Sequence, residues 1–103
     1  MTAALRSQVF RIDLGHGLKP WVVVSNNQRN RNLATVVAAR ITTTDRHARL
    51  PTVVPLAPDD PLVGFVLCDD IWQFYDDELQ SALGALTPRT MRAVSAGLRI
   101  ALP

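Results

Sequence analysis

The chain has 103 residues but only one cysteine, one lysine and one tyrosine. The lone cysteine, Cys68, excludes an internal disulfide and a zinc site built from several thiolates. No apolar run reaches the roughly 18 residues that a membrane-spanning helix needs. The start, residues 1–6, is too short and too weakly apolar for a signal peptide. We therefore expect a cytoplasmic protein with no membrane partner.

The common catalytic motifs are missing as well. The sequence contains no glycine-rich phosphate loop, no GxSxG nucleophile turn and no HExxH metal motif. The two histidines, His16 and His47, are 31 positions apart, which is not a metal-ligand spacing. We expect neither a metal ion nor a cofactor.

Charge is unevenly distributed along the chain. Residues 1–50 hold eight cations and two carboxylates, a net charge of +6, whereas residues 51–103 hold three cations and seven carboxylates, a net charge of −4. Ten of the eleven cations are arginine, which suits phosphate binding and base stacking. The first half therefore fits a polyanion partner. Mutual neutralisation across a dimer, or a GC-rich genome that favours arginine, fits the same composition.

The most informative stretch is residues 19–27, KPWVVVSNN. Three consecutive valines, residues 22–24, predict a strand buried on both faces. Pro20 cannot donate to a central ladder, so it is expected to mark the start of this strand. Residues 9–13 alternate apolar and polar, as in a half-buried strand, and the glycine-flanked His16 is expected at the tip of the hairpin between the two strands.

The remainder predicts a mainly β fold with a C-terminal helix, in one domain over residues 1–103. Thr87 followed by Pro88 predicts the start of that helix, which runs to about Leu102. Several short strands before one helix favour a strongly bent antiparallel sheet or a partly open small barrel. The other predicted segments are a polar turn at 26–32, a strand at 34–44, an edge strand between Pro51 and Pro55, a strand at 64–74, an acidic helical turn at 76–79, and a strand at 82–86.

Polar side chains cluster at the predicted strand ends. They are His16, Lys19, Thr42, Thr43, Asp69 and Asp70. These types suit RNA phosphodiester cleavage, in which the 2′-hydroxyl is the nucleophile, a cation stabilises the phosphorane and a carboxylate or imidazole moves protons. Polar residues at strand ends are also commonly solvated without any function.

The chain resembles the MazF/PemK/Kid family of toxins, and most closely the short actinobacterial, mycobacterial branch. The resemblance rests on RSQVFRIDL (6–14), KPWVVVSN (19–26), VAARITTT (37–44), LPTVV (50–54), VLCDDI (66–71) and LGAL (83–86). It implies an SH3-like, CcdB/MazF-like small barrel and a homodimer. It also implies a ribosome-independent, metal-independent endoribonuclease that cuts single-stranded RNA at short sequences and inhibits translation and growth. A cognate antitoxin is expected to cover the RNA groove with its C-terminal tail.

The same resemblance assigns site residues. The family's catalytic arginine falls on Lys19, its catalytic threonine on Thr42, the aspartate of its Cys-Asp pair on Asp69, and a loop histidine of some members on His16. Residues expected to contact RNA are Arg29, Arg31, Thr43, Thr44, Arg46 and Trp72. The chain departs from the family pattern at Lys19, at Leu67, at Trp72 and in a shortened first loop, which affects the proton-transfer roles and the cleavage sequence most.

Two other functions remain open at this point. A gyrase poison uses the same fold without catalysis, and a non-cleaving RNA-binding module could follow from the replacement of the family arginine by Lys19. Whether the RNA is messenger, ribosomal or transfer RNA is equally open.

Overall fold

The computed structural model describes residues 4–102, so Pro103 and residues 1–3 of the segment considered as a signal peptide lie outside it. The strands are β1 (Gln8–Asp13), β2 (Leu18–Val23), β3 (Thr35–Thr42), β4 (Val53–Pro55), β5 (Phe65–Tyr75) and β6 (Gln80–Ala85). The helices are α1 (Asn27–Asn32) and α2 (Pro88–Ala101), with a 3-10 turn at Asp76–Glu78. Over the described residues the strands form one antiparallel sheet in the order β4-β5-β3-β2-β1-β6. This confirms the predicted mainly β fold with a C-terminal helix.

Strand β2 lies between β1 and β3, and its side chains reach the cores on both faces of the sheet. Val22 belongs to a cluster that includes Met91 and Val94 of α2. Trp21 and Val23 belong to a second cluster on the other face, with Phe74. Because neighbouring side chains on a strand point to opposite faces, a run of apolar residues serves both cores. The prediction of a doubly buried strand is confirmed for Val22 and Val23, whereas Val24 lies beyond the end of β2 and is only partly buried.

The prediction that Pro20 marks the start of β2 is wrong. The strand begins at Leu18, and Pro20 pairs with Arg11 of β1. The missing N–H of Pro20 affects the pairing of β2 with β3, on the other side from β1. Val24 N donates to Val37 O (2.9 Å), and bonded pairs alternate along an antiparallel ladder, so Pro20 falls where a donor to Ile41 is needed. The assigned β2–β3 pairs stop at Trp21 and Arg40, and the strands separate beyond them.

The ends of the other elements follow the predicted chemistry with small shifts. Thr87 caps α2 by accepting from Thr90 N, and β4 is at the edge of the sheet. Strand β3 ends at Thr42 rather than at Thr44, because Thr44 N turns back to donate to the Thr42 hydroxyl (3.2 Å). No helix within residues 4–102 is long and apolar enough to cross a bilayer.

Strand β5 contains a bulge of three residues, 68–70. Ala39 of β3 pairs with Ile71, but the next residue, Arg40, pairs with Leu67. Bulges redirect side chains, and here the bulge contains Cys68 and the pair Asp69–Asp70. Cys68 is buried, as predicted, and burial together with the neighbouring Asp69 charge raises its pKa to about 11. The thiol therefore stays protonated at neutral pH and is a packing group.

Candidate active site

The gap between the ends of β2 and β3 opens into a cleft of about 450 Å³. Lys19 and Thr42 both line it, together with Thr43 and the apolar side chains of Leu62 and Val63. The β2–β3 register, continued two residues past the last assigned pair, brings Lys19 level with Thr42. Three of the residues selected from the sequence thus meet at one end of the sheet.

The Thr42 hydroxyl is already engaged as a hydrogen-bond acceptor but not as a donor. The oxygen accepts the Thr44 N–H, which orients the side chain. Its own O–H donates to no acceptor within residues 4–102. A hydroxyl carries one donor and two acceptor positions, so Thr42 retains a donor for a ligand in the cleft.

Gly64 holds the backbone of Thr42 in place from the β4–β5 connection. Its φ of +138° lies in the region that favours glycine, and a Cβ added here would overlap the Thr42 carbonyl oxygen. We expect Gly64→Ala to push Thr42 away from Lys19, lowering RNA cleavage at least tenfold and the free energy of unfolding by about 1–3 kcal/mol. Rates measured at a temperature where both proteins are folded, with denaturant unfolding beside them, check this.

Gly84→Ala is the matched control for Gly64. Gly84 also has a positive φ, +103°, but an added Cβ meets only the Pro61 side chain, at 3.2 Å. This variant should lose stability and keep its cleavage rate. Equal rates for Gly64→Ala and the unmodified protein would contradict the positioning role of Gly64.

Arg40 was missed by the reasoning from the sequence. It lines the cleft, is half-buried, and its buried Nε has no hydrogen-bond acceptor within residues 4–102. A guanidinium in this condition can donate to an anionic or other acceptor ligand. The available signal was the strand period of two, since Arg40 is a charged residue on the same face of β3 as Thr42 within an otherwise apolar segment.

A second cavity of about 200 Å³ adjoins the cleft and shares Lys19 and Arg40 with it. Its other walls are Ile12, Trp21 and the β1–β2 turn, which carries His16. Asp13 shapes that turn, because its Oδ1 accepts the backbone N–H groups of Gly15 and Gly17. His16 is therefore next to Lys19, as predicted from the hairpin.

The acidic candidates lie elsewhere. Asp69 accepts the Thr52 hydroxyl at 2.6 Å, beside β4, and lines neither cavity. Asp70 accepts Trp72 Nε1 at 3.2 Å, and the Trp72 side chain is 55% exposed. The two neighbouring carboxylates have separate partners, as the opposite directions of adjacent strand residues favour.

The remaining RNA-contact candidates do not form one cluster. Arg29 donates to Thr35 O (2.7 Å) and Gln73 Oε1 (3.1 Å), at the end of β3 opposite to Thr42. Seven strand steps, roughly 23 Å, separate those ends. Arg31 is exposed on α1. Exposed Thr44 and Arg46 follow β3 in the loop near the cleft.

The electrostatics of the cleft favour an anion. Lys19 and Arg40 line it without any carboxylate, and neither forms an ion pair within residues 4–102. No group of three or more His, Cys, Asp or Glu side chains in this part of the chain could hold a metal ion. Two cations and a hydroxyl donor around a gap between strands can bind and polarise a phosphodiester.

The comparisons with known proteins agree on one family. Residues 5–102 match the family model of PemK-like, MazF-like toxins of type II toxin–antitoxin systems. The chain is 52% identical over 102 residues to Endoribonuclease MazF1 of Mycobacterium bovis and to Endoribonuclease MazF4 of Mycobacterium tuberculosis H37Rv. These alignments cover 99% of this chain and 95% of each relative.

The fold is similar to solved structures as well. A mycobacterial endoribonuclease in complex with its cognate antitoxin superposes with a TM-score of 0.92 at 51% identity, over 98% of both chains. A MazE–MazF complex from Deinococcus radiodurans superposes with a TM-score of 0.81 at 18% identity, which concerns the fold alone.

Proposed function

The chain belongs to the PemK-like, MazF-like toxins of type II toxin–antitoxin systems and is an endoribonuclease, and we propose that it cuts single-stranded RNA in the cleft between β2 and β3. The observation that carries the assignment of the site is the meeting of Lys19, Arg40 and Thr42 around this cleft without a neighbouring carboxylate. Sequence-specific recognition of RNA generally uses single strands, whose bases are free to enter pockets.

The reaction needs a nucleophile that the substrate itself brings. The 2′-hydroxyl attacks the adjacent phosphorus, the bond to the 5′-oxygen of the next nucleotide breaks, and a cyclic phosphate and a 5′-hydroxyl result. Negative charge grows on the non-bridging oxygens in the transition state. Lys19 and Arg40 stabilise this charge, and the free Thr42 O–H donates to one of these oxygens.

One proton leaves the 2′-hydroxyl and one reaches the departing 5′-oxygen. His16 borders the cavity next to Lys19, and an imidazole can accept and donate protons near neutral pH. We assign the proton transfer to His16 rather than to Asp69, which is engaged by Thr52 away from the cleft. No step of this scheme needs a metal ion or a ribosome.

The experiment that tests this function is incubation of the pure protein with mixed cellular RNA in EDTA, followed by mapping of the new 5′ ends. We expect discrete cuts at one short sequence. A synthetic strand with a single 2′-deoxynucleotide on the 5′ side of the cut should stay intact, because the nucleophile is missing. Intact cellular RNA would instead favour the non-catalytic alternatives, a gyrase poison or an RNA-binding module.

Thr42 supplies a second test of the same site. Thr42→Val keeps the shape and removes the hydroxyl, so we expect cleavage to fall roughly 100-fold, the usual effect of losing one donor to a developing oxyanion. Thr42→Ser keeps the donor and should retain most of the rate. Equal losses in both variants would show that the hydroxyl does not act on the phosphate.

Partners and cellular effect follow as parts of the proposal. The solved relative in complex with its cognate antitoxin supports an antitoxin for this chain too, and we propose that its C-terminal tail covers the cleft. We further propose a homodimer, action on cytoplasmic RNA and growth inhibition through loss of translated RNA. Expression in cells with and without the candidate antitoxin measures this effect directly.

A further inference from the structure

The small cavity beside the cleft has two buried donors without acceptors. Trp21 is 2% exposed, and its Nε1 has no hydrogen-bond partner within residues 4–102. The buried Nε of Arg40 is in the same condition. Buried donors without a partner are rare in folded proteins because leaving them unpaired is unfavourable, so two such groups together are unusual for purely structural residues.

The two donors are neighbours by strand register. Trp21 is directly opposite Arg40. Because Val24 N donates to Val37 O, the alternation of the ladder makes Trp21 and Arg40 a non-bonded pair, the type in which side chains approach most closely. Phe74 holds the indole from the far side, with the ring centroids 4.9 Å apart and an interplanar angle of 74°. The indole is thus held in place before any ligand arrives.

The walls of the cavity define the chemistry of its occupant. Ile12, Leu14 and the Trp21 ring are apolar, whereas Lys19, Arg40 and His16 are polar, and no carboxylate or amide side chain lines the cavity. A volume of about 200 Å³ is below the usual range for drug-sized ligands and suits one flat ring system. The occupant therefore needs apolar faces and, toward Lys19 and Arg40, an edge that accepts hydrogen bonds.

Building on the proposed function, we propose that this cavity binds a guanine base next to the cut phosphate, through the O6 and N7 acceptors on one edge of the ring. Arginine and lysine contacts to these two atoms are the commonest specific readout of guanine. Adenine has nearly the same shape but presents its N6 amino donor where guanine has O6. That amino group would face the Lys19 and Arg40 side chains, which can only donate hydrogen bonds, so the cavity should disfavour adenine.

Arg40 can serve both the base and the phosphate. A guanidinium carries five N–H donors in one plane, and Arg40 lines both the cavity and the cleft. We assign Nε, which is buried without a partner, to the base and the two terminal nitrogens to the phosphate. Specificity and chemistry are therefore coupled through one side chain.

The first test compares oligonucleotides that differ at one nucleotide beside the mapped cut. Guanosine and inosine, which share O6 and N7, should be cut at similar rates. Adenosine and 7-deazaguanosine should be cut about 5- to 150-fold more slowly, the range that one good base contact supplies. Rejection of inosine, or efficient cutting of sites without a neighbouring guanine, would overturn the proposal.

The second test uses variants of the two donors. Trp21→Phe keeps an aromatic wall and removes only the indole donor, and Arg40→Lys keeps the charge but not the Nε donor. Both should shrink the ratio of guanine to adenine cleavage rates, whereas Arg89→Lys, on the exposed face of α2, serves as control. An unchanged ratio in a folded Trp21→Phe or Arg40→Lys protein would count against the cavity.

Binding separates this inference from the proposed function. An uncleavable 2′-deoxy strand is added to the ¹⁵N-labelled protein, whose two tryptophans give two indole N–H signals, assigned with Trp21→Phe. A guanine strand should shift the Trp21 signal and an adenine strand should not. If RNA stays uncut while this shift appears, the proposed function fails and the cavity assignment stands. If RNA is cut and the Trp21 signal does not shift, the proposed function stands and the cavity assignment fails.

Discussion

Lys19→Ala is expected to lower RNA cleavage by roughly 100- to 1,000-fold, the cost of losing one preorganised group that stabilises a developing oxyanion. Lys19 is exposed at the entrance of the cleft and forms no ion pair within residues 4–102. The free energy of unfolding should therefore change by less than about 0.5 kcal/mol. Cleavage rates under single-turnover conditions, together with denaturant unfolding, separate the two effects.

Two variants sharpen the interpretation of Lys19. Lys19→Arg restores a positive charge with a planar fork of donors, and it should keep or raise the rate, because phosphate accepts bidentate contacts. Arg89→Ala removes an exposed cation that does not line the cleft and is 3.9 Å from Asp59. This variant should leave cleavage unchanged. If Lys19→Ala cut RNA at the normal rate, Arg40 alone would be carrying the charge stabilisation.

Asp60→Ala is expected to cause the largest loss of stability, about 3 kcal/mol. This buried carboxylate accepts hydrogen bonds from Ala57 N (2.7 Å), Thr87 N (2.8 Å) and the Thr90 hydroxyl (2.7 Å). It joins the β4–β5 connection to the start of α2. Alanine would leave the buried Thr90 hydroxyl and the part-buried Ala57 and Thr87 N–H groups without their acceptor, and an unsatisfied buried donor costs about 1–3 kcal/mol. Urea unfolding monitored by circular dichroism measures the change.

Asp59 is the matched control for Asp60. It is the preceding residue in the chain, but it is exposed, and within residues 4–102 its side chain has only the long ion pair with Arg89. Exposed pairs contribute between zero and about 1 kcal/mol, so Asp59→Ala should be nearly neutral. Similar losses in the two variants would show that the loop, rather than the hydrogen-bond network, determines the effect.

Asp60 also makes stability depend on pH. Burial by itself would raise its pKa, but the hydrogen bonds from Thr87, Thr90 and Ala57 outweigh burial and lower the pKa below its ordinary value of 3.8. The unfolded chain then binds the proton more tightly than the folded one. The contribution is complete above pH 3.8 and is lost as the pH falls through the folded pKa. Asp60→Asn should flatten this acidic part of the stability curve.

Local chemistry explains why so much of the fold could be predicted. Alternating or continuous apolar residues identify strands, and Thr87 with Pro88 identifies the start of α2, because these signals depend on neighbours in the chain. Lys19 and Thr42 were predicted for the same reason, since each ends or begins a strand with an obvious pattern. The family resemblance added the catalytic roles, which remain predictions.

Pro20 shows where a correct local rule led to a wrong boundary. A proline cannot donate to a ladder, but the consequence depends on which neighbour its nitrogen faces. Here Pro20 is paired with Arg11 of β1, whereas the assigned pairs between β2 and β3 end at the neighbouring residue, Trp21. Pro20 therefore marks the opening of the cleft rather than the start of the strand. The direction of the nitrogen follows from the pairing of Val24 with Val37, which is a tertiary fact.

The sequence by itself determined the types and order of the elements, the cap of α2, and the presence of Lys19 and Thr42 at strand ends. The tertiary structure alone decided which side chains share a cavity. Trp21 on β2 lies opposite Arg40 on β3, and Asp69 in the bulge of β5 accepts the Thr52 hydroxyl. Arg29 donates to Thr35 O at the opposite end of β3 from the cleft. Register and bulges depend on pairing between distant segments, and that pairing minimises the free energy of the whole sheet rather than of any one stretch.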